Sequence, residues 1–203
     1  MWILMKNIRQ IISHLFYFII NSIILKGRNV SHTNFNINGI LKVFNIGTLT
    51  LGNNFSGNSG KNKNAIGGDT ILRLIVFKKN ATLTIGDNVG ISNSTIVCWN
   101  RIEIGNNVMI GGSCKIWDTN FHSLNPAARG NEEDNDVKTA PIYIKGNVFI
   151  GAGTIILKGV TIGENSIIAA GSVVNKNIPP NVIAGGNPCI IIKKLIFNDD
   201  KKQ

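Results

Sequence analysis

An aliphatic residue occupies every sixth position over one uninterrupted stretch in the C-terminal half of the 203-residue chain. A period of six fits neither the apolar face of an α-helix nor the alternation of an ordinary strand. It is typical of a parallel β-helix, in which each six-residue unit forms one short strand and one corner, and three units complete a triangular coil. We expect these side chains to point into the prism and to stack on each other. They are Ile144, Ile150, Ile156, Ile162, Ile168 and Val174.

The repeat extends upstream in a less regular form. It is regular from Ile85 onward, except that a corner within residues 98–103 must accommodate one extra residue. Residues 37–83 contain strand-like pieces separated by turns rich in glycine and asparagine. Because one coil cannot bury its own apolar face, the repeats must stack. The sequence therefore predicts an all-β domain over residues 29–189.

Two flanking segments lack the repeat. Residues 1–28 are predicted to form a short N-terminal helix, with Lys6 and Arg9 ahead of its apolar part. The uninterrupted apolar run is expected to be too short to cross a membrane. Two interpretations remain open: a helix packed on the end of the prism, or an interfacial helix on the inner membrane with its basic residues at the headgroups. Residues 190–203 are expected to leave the prism as a C-terminal tail.

The composition limits the partners and the compartment. The formal net charge of +10 favours acidic partners. The basic residues are scattered in pairs without a reading helix, so nucleic-acid binding is not expected. Three dispersed cysteines do not make a disulfide framework, which favours the cytoplasm. His122 is the only histidine in the repeat region, so no metal site is expected, because a trihistidine zinc centre would need two more.

One insertion interrupts the repeat. Residues 118–141 lose the apolar period and are rich in asparagine, aspartate, glutamate and proline. A long loop without secondary structure inside a compact domain is usually functional. The insertion contains His122, which makes it the candidate catalytic loop.

Four segments of the sequence carry a family resemblance. The chain resembles the left-handed β-helix acyltransferases, and among them the sugar O-acetyltransferases of bacterial surface-polysaccharide clusters and the galactoside and maltose acetyltransferases. The resemblance implies a left-handed parallel β-helix that transfers an acetyl group from acetyl-CoA to a sugar hydroxyl in capsule, O-antigen or exopolysaccharide biosynthesis. The segments are IGDNV at 85–89, DTNFH at 118–122, the repeats at 144–174, and IPPN at 178–181 followed by GGNP at 185–188.

The resemblance also implies a catalytic residue and an acceptor contact. At the family's position on the loop, His122 is expected to be the general base, because a neutral imidazole can take the proton of a hydroxyl as it attacks a thioester. Asp118 or a backbone carbonyl would orient its ring. Asn93 is expected to contact the acceptor sugar, and the alternative for Asn93 is a corner asparagine in the left-handed conformation.

The resemblance further implies a site for acetyl-CoA in a groove between two prisms, and hence a homotrimer. Small residues would let the pantetheine arm approach the backbone, and lysines would face the phosphates. In this chain Ile190 replaces an arginine that the family often has, which removes one phosphate partner. The implied cofactor-binding residues are Gly151, Ala152, Ala170, Gly171, Asn175, Lys176 and Lys193.

Other functions remain open at this point. The chain could be a non-catalytic β-helix that serves as a binding or structural module, or an acyltransferase that uses another acyl donor or an amino-sugar acceptor. For the enzyme, the expected acceptor is a sugar or oligosaccharide, lipid-linked forms included. The expected location is the cytoplasm, with peripheral contact to the inner membrane as the second interpretation of residues 1–28.

Overall fold

The structure, a computed structural model, describes residues 2–66, 70–130 and 136–197, without the side chains of residues 2–7 and 9. The predicted headgroup contacts of Lys6 and Arg9 therefore lie outside the described part. Within it, a single helix, α1 (Trp2–Gly27), precedes nineteen strands. Successive strands pass from one sheet to the next, and each strand from β1 to β14 pairs in parallel with the strand three places further along the chain, while β16 pairs with β18. This arrangement confirms the predicted β-helix.

Three sheets form the three faces of the prism. The first face contains β1 (Phe35–Gly39), β4 (Phe55–Ser59), β7 (Gly90–Ser92), β10 (Met109–Ile110), β13 (Phe149–Ile150), β16 (Ile167–Ile168), β18 (Val182–Gly185) and the antiparallel β19 (Ile190–Lys194). The second face contains β2 (Lys42–Asn45), β5 (Arg73–Val76), β8 (Thr95–Cys98), β11 (Lys115–Trp117), β14 (Ile155–Ile156) and β17 (Val173–Val174). The third face contains β3 (Thr48–Leu51), β6 (Thr82–Ile85), β9 (Arg101–Ile104), β12 (Ile142–Ile144) and β15 (Thr161–Ile162).

The aliphatic residues of the repeat stack along the interior of the prism. On the first face, for example, Ile110 pairs with Ile150, which pairs with Ile168, and all three are buried. Smaller inward positions carry hydroxyl groups that bond to carbonyls, as Thr154 does to the Gly151 carbonyl at 2.8 Å. Among the described residues, every buried side-chain nitrogen and oxygen therefore has a hydrogen-bond partner.

A ladder of asparagines runs along the corner between the third and first faces. Each side-chain amide donates to the side-chain oxygen of the asparagine in the next coil, at 2.6–3.1 Å. All members except Asn34 have φ between +56° and +59°. Asparagine suits this corner because it tolerates the left-handed region and its amide both donates and accepts. The ladder consists of Asn34, Asn54, Asn88, Asn107, Asn147, Asn165 and Asn181.

The C-terminal half of α1 covers the first coil of the prism. The buried Asn21 amide donates to the Gly39 carbonyl and accepts from the Leu41 amide, both at 2.9 Å. Leu25 is fully buried and joins the hydrophobic core. The packed-helix interpretation of this segment is therefore correct for its last turns.

The other face of α1 is apolar and exposed. Between Gln10 and Gly27 the helix has a mean hydropathy of 1.3, and 11% of this stretch is buried. By length and composition alone the helix is long and apolar enough to cross a membrane, whereas its uninterrupted apolar run is short. Scattered Ser, His and Asn residues interrupt the run in sequence but leave its average hydropathy high. The exposed apolar side chains are Ile8, Ile11, Ile12, Leu15, Phe16, Phe18, Ile19 and Ile23.

The asparagine ladder predicts a difference between two substitutions at one corner. Asn107→Ala should lower the free energy of unfolding by about 2 kcal/mol. Alanine in the left-handed region costs about 1–2 kcal/mol, and two side-chain hydrogen bonds are lost. Asn107→Gly loses the same bonds but avoids the steric cost, so it should be less destabilising. Urea unfolding followed by circular dichroism measures both. Equal losses for alanine and glycine would show that the backbone conformation contributes nothing.

Candidate active site

The loop that carries His122 leaves the prism at the corner between the second and third faces, between β11 and β12. An antiparallel bridge between Thr119 and Thr139 joins its two ends, and neighbouring backbone hydrogen bonds extend the pairing. His122 is exposed at this corner. The base predicted from the sequence is thus accessible to a substrate, on a loop whose ends are fixed to the prism.

Hydrogen bonds within the loop stabilise its described first half. The Arg129 guanidinium donates from Nε to the Ser123 carbonyl at 3.0 Å and from Nη2 to the Leu124 carbonyl at 3.1 Å. Ser123 is buried although it lies on the loop, and its hydroxyl accepts from the Asn125 amide at 3.1 Å. These bonds hold the backbone immediately after His122.

Asp118 fastens the start of the loop to the preceding coil. Its carboxylate is fully buried and accepts the backbone amides of Trp99 at 2.7 Å, Asn100 at 2.7 Å and Arg101 at 2.8 Å. These three residues form the corner where the sequence requires one extra residue. Hydrogen bonds to a carboxylate are stronger than neutral ones, so Asp118 can hold a corner that the repeat alone would not specify.

Phe121 precedes His122 in an unusual backbone conformation. Its φ is +62°, which is rare for a bulky residue and raises the energy of the chain locally. The ring packs edge-on against Trp99 at 5.8 Å and lies 6.2 Å from Trp117, measured between centroids. Strained residues of this kind are concentrated at functional sites. The two tryptophans thus hold the turn that presents His122.

Sequence reasoning missed the aromatic column to which Phe121 belongs. Phe77 stacks on Trp99 with centroids 5.3 Å apart and planes 12° apart, and Phe44 lies 5.6 Å from Phe77. The Lys78 ammonium lies 4.6 Å from the Trp99 centroid. The sequence did contain a signal for this column: the aromatic residues at 77, 99 and 121 are evenly spaced, and each coil contributes one of them to this corner.

The three thiols are not activated as nucleophiles. Burial, followed by the negative charge of Asp118, raises the pKa of Cys98 far above its usual range. Burial also raises the pKa of Cys114 and of Cys189. The thiolate is the reactive form of cysteine, so none of the three is suited to covalent catalysis. Within residues 2–66, 70–130 and 136–197, no three His, Cys, Asp or Glu side chains are grouped to hold a metal ion.

Asn93 lies inside the structure at the corner between the first and second faces. It is fully buried with φ of +41°, its Oδ1 accepts the Gly60 amide at 2.8 Å, and its Nδ2 donates to the Gly60 carbonyl at 3.3 Å. This geometry is the corner asparagine that the sequence left as the alternative. In the single chain the side chain anchors the loop that begins at Gly60, and the predicted contact with an acceptor stays a prediction.

The structure divides the predicted cofactor residues among three places. Ala152, Ala170 and Gly171 lie at the corner between the first and second faces, where Ala170 and Gly171 are exposed. Asn175 and Lys176 are exposed at the corner between the second and third faces, the corner that also carries His122. Lys193 is exposed on β19. A single prism therefore does not bring the whole set together.

Gly151 does not fit the role predicted for it. It is buried, its amide donates to the Ile168 carbonyl, and its carbonyl accepts from Thr154. A Cβ at this position would lie 2.5 Å from the Ala170 nitrogen of the next coil. The glycine is therefore required for the close approach of two coils, and it offers no surface to a cofactor.

The role of Asp118 can be tested by removing its carboxylate. Asp118→Ala should lower the free energy of unfolding by about 3 kcal/mol, because three partly buried backbone amides lose a charged acceptor. Asp136→Ala is the matched control at the other end of the loop, where an exposed pair with Lys138 should contribute about 1 kcal/mol or less. Chemical denaturation measures both. Equal small losses would contradict the anchoring role.

Comparisons with known proteins agree with this fold. Residues 141–176 match the family described as bacterial transferase hexapeptide (six repeats). A galactoside O-acetyltransferase of Lactococcus lactis is 44% identical over 109 residues, which cover 54% of this chain and 51% of that protein. A galactoside O-acetyltransferase of Escherichia coli is 40% identical over 130 residues, which cover 64% of this chain and 61% of that protein. The chain thus spans about half to three fifths of these relatives.

Solved structures show the same similarity. A hexapeptide-repeat acetyltransferase from Vibrio cholerae is 38% identical, with a TM-score of 0.52 over 56% of this chain and 62% of that one. A maltose O-acetyltransferase from Clostridium difficile 630 is 29% identical, with a TM-score of 0.53 over 86% of this chain and 74% of that one. These matches confirm the resemblance predicted from the sequence: the chain carries the hexapeptide repeat of the bacterial transferases on the β-helix of the hexapeptide-repeat acetyltransferases.

Proposed function

We propose that the chain is an acetyl-CoA-dependent O-acetyltransferase that modifies a sugar hydroxyl in the synthesis of a bacterial capsule, O-antigen or exopolysaccharide. The observation that carries this proposal is the exposed His122, held at one corner of the prism by a loop fixed at both ends. Similarity to galactoside and maltose O-acetyltransferases supports the reaction class and the sugar acceptor.

In the proposed reaction His122 acts as a general base and then as a general acid. The neutral imidazole takes the proton of the acceptor hydroxyl while that oxygen forms a bond to the thioester carbonyl carbon. As the tetrahedral intermediate collapses, the carbon–sulfur bond breaks and the imidazolium returns the proton to the departing thiolate. The products are the acetyl ester and free CoA. The transfer is direct, consistent with the raised pKa of all three thiols.

The divided cofactor residues support a homotrimer. Ala152, Ala170 and Gly171 form a low strip at one corner, with Ala152 half-buried and the other two exposed, while Asn175 and Lys176 lie at the next corner. Two prisms packed side by side would place the strip of one copy opposite the His122 corner of another. A repeated contact of this head-to-tail kind closes when three copies form a ring. In that groove the small residues would admit the pantetheine arm, and Lys176 would face the phosphates.

We also propose that the protein works in the cytoplasm, in contact with the inner membrane through α1. The helix presents a continuous apolar face to solvent while its last turns are fixed to the prism. The formal charge of +10 would add attraction to an anionic leaflet. A membrane-bound enzyme would meet lipid-linked saccharides directly.

The catalytic role predicts a specific loss of turnover. His122→Ala should lower kcat by about 10²–10⁴-fold, the usual loss of a general base, while the fold and the affinity for acetyl-CoA remain. Leu124→Ala removes a 70% exposed side chain from the same loop and should keep normal turnover. Near-normal turnover of His122→Ala would overturn the mechanism. If the wild-type protein binds acetyl-CoA but transfers acetyl to no sugar, the non-catalytic alternative is favoured.

The membrane contact predicts the effect of charges on α1. Ile12 and Phe16 are 62% and 51% exposed, so glutamates there should leave the fold intact. The double variant Ile12→Glu and Phe16→Glu should bind anionic vesicles at least about 100-fold more weakly, because each such side chain contributes about 1.5–3 kcal/mol when buried, or about 3–6 kcal/mol for the two. Ile196→Glu, at an 86% exposed tail position, is the control. Co-sedimentation measures binding, and equal binding by all the proteins would contradict the proposal.

A further inference from the structure

A polar cleft of about 780 Å³ lies between α1 and the outer surface of the first face. The floor consists of two rows of outward side chains that the parallel register aligns across β1, β4 and β7. Residues 10–17 of α1 and the loop at 63–64 form the walls. The two rows are Asn36, Ser56 and Gly90, and Asn38, Asn58 and Ser92.

The floor differs chemically from the neighbouring surface. On the second face the corresponding outward positions of β2, β5 and β8 combine two cations with apolar side chains: they are Lys42, Arg73 and Thr95 in one row, and Phe44, Ile75 and Val97 in the other. The floor of the cleft carries amides and hydroxyls, groups that can both donate and accept hydrogen bonds. Among the described side chains that line the cleft, Lys63 is the one with a formal charge. This surface matches a ligand with many neutral hydroxyl groups better than an anion.

Apolar groups complete the lining. The Tyr17 ring stands in one wall, and the exposed side chains of Met109 and Phe149 extend the first floor row beyond Gly90. Binding sites for small molecules commonly combine apolar and aromatic walls with a few placed polar groups. Pyranose rings present both features, with hydroxyls at their edges and C–H groups on their faces.

The wall of the cleft is held in place by two contacts. The Lys63 ammonium lies 4.5 Å from the Tyr17 ring centroid, which joins the loop to α1 through a cation–π interaction. At the base of the same loop, the buried Asn93 amide bonds twice to Gly60. Asn93, which does not reach the surface, therefore supports the cleft from below.

We infer that this cleft is a saccharide-binding subsite for neutral sugar units of the acceptor. That the bound sugars belong to the acceptor rests on the proposed function, whereas the class of ligand is argued from the cleft itself. The cleft lies on the face opposite the corner that carries His122 in the same chain. It is therefore separate from the reacting centre of that copy, and it would contribute to acceptor affinity rather than to the chemical step.

Gly90 allows a sharp test. It lies within β7 at the centre of the floor, and a Cβ there would stand 3.2 Å from the Ser56 hydroxyl oxygen. Gly90→Val keeps a good strand former and fills the cleft. Thr95→Val is the matched control, an outward position on the second face outside the cleft. Full-length wild type, both variants and His122→Ala would be titrated by ligand-observed NMR with lactose, maltotriose and chitotriose, and with glucose 1-phosphate as the charged comparison.

We expect wild type, Thr95→Val and His122→Ala to bind at least one neutral saccharide in preference to glucose 1-phosphate. Gly90→Val should bind it at least tenfold more weakly, and Asn93→Ala should weaken it to a smaller extent by loosening the wall. Binding of no neutral saccharide by wild type, or equal binding by Gly90→Val, would overturn the inference. If the protein binds a saccharide in the cleft but transfers no acetyl group, the proposed function is overturned and the saccharide-binding subsite stands. If Gly90→Val transfers acetyl with an unchanged acceptor KM, the subsite is overturned and the proposed function stands.

Discussion

The structure depends on one constraint: a coil of parallel strands has an apolar interior that only the coils above and below it can cover. Ile110, Ile150 and Ile168 show the consequence, because each packs on its equivalent in the next coil. The coils must then follow each other at the spacing of paired strands. Glycines such as Gly151 and asparagines such as Asn107 follow from this requirement, the first because a Cβ would meet the next coil and the second because the corner needs positive φ.

A regular prism has no room for a site in its interior, so function must be built on its corners and faces. The loop with His122 occupies one corner, and its attachment uses the buried carboxylate of Asp118. Contacts with tryptophans of the prism, rather than contacts within the loop, hold Phe121 in its strained backbone conformation. The rigid repeat thus provides the support, and a few irregular residues provide the chemistry.

The N-terminal helix has three roles. Its last turns close the open end of the prism through Asn21 and Leu25, and its outer face is apolar and exposed. Between the helix and the first face it also creates the polar cleft. A truncation of the helix would disturb all three features, which is why single substitutions on its outer face test membrane contact more cleanly.

The sequence alone determined the β-helix, the insertion and its histidine, because a period of six and its interruption are local properties of the chain. It could not determine what Asn93 and Gly151 do, because burial and hydrogen-bond partners depend on coils that are distant in sequence. The loop at Gly60 occupies the Asn93 amide, and the coil at Ala170 leaves no space at Gly151. Tertiary structure also decided which predicted cofactor residues share a corner, since residues a few positions apart turn onto different faces. The same folding aligned Asn58 with Ser92, 34 residues away, into the floor of a cleft that no local pattern reveals.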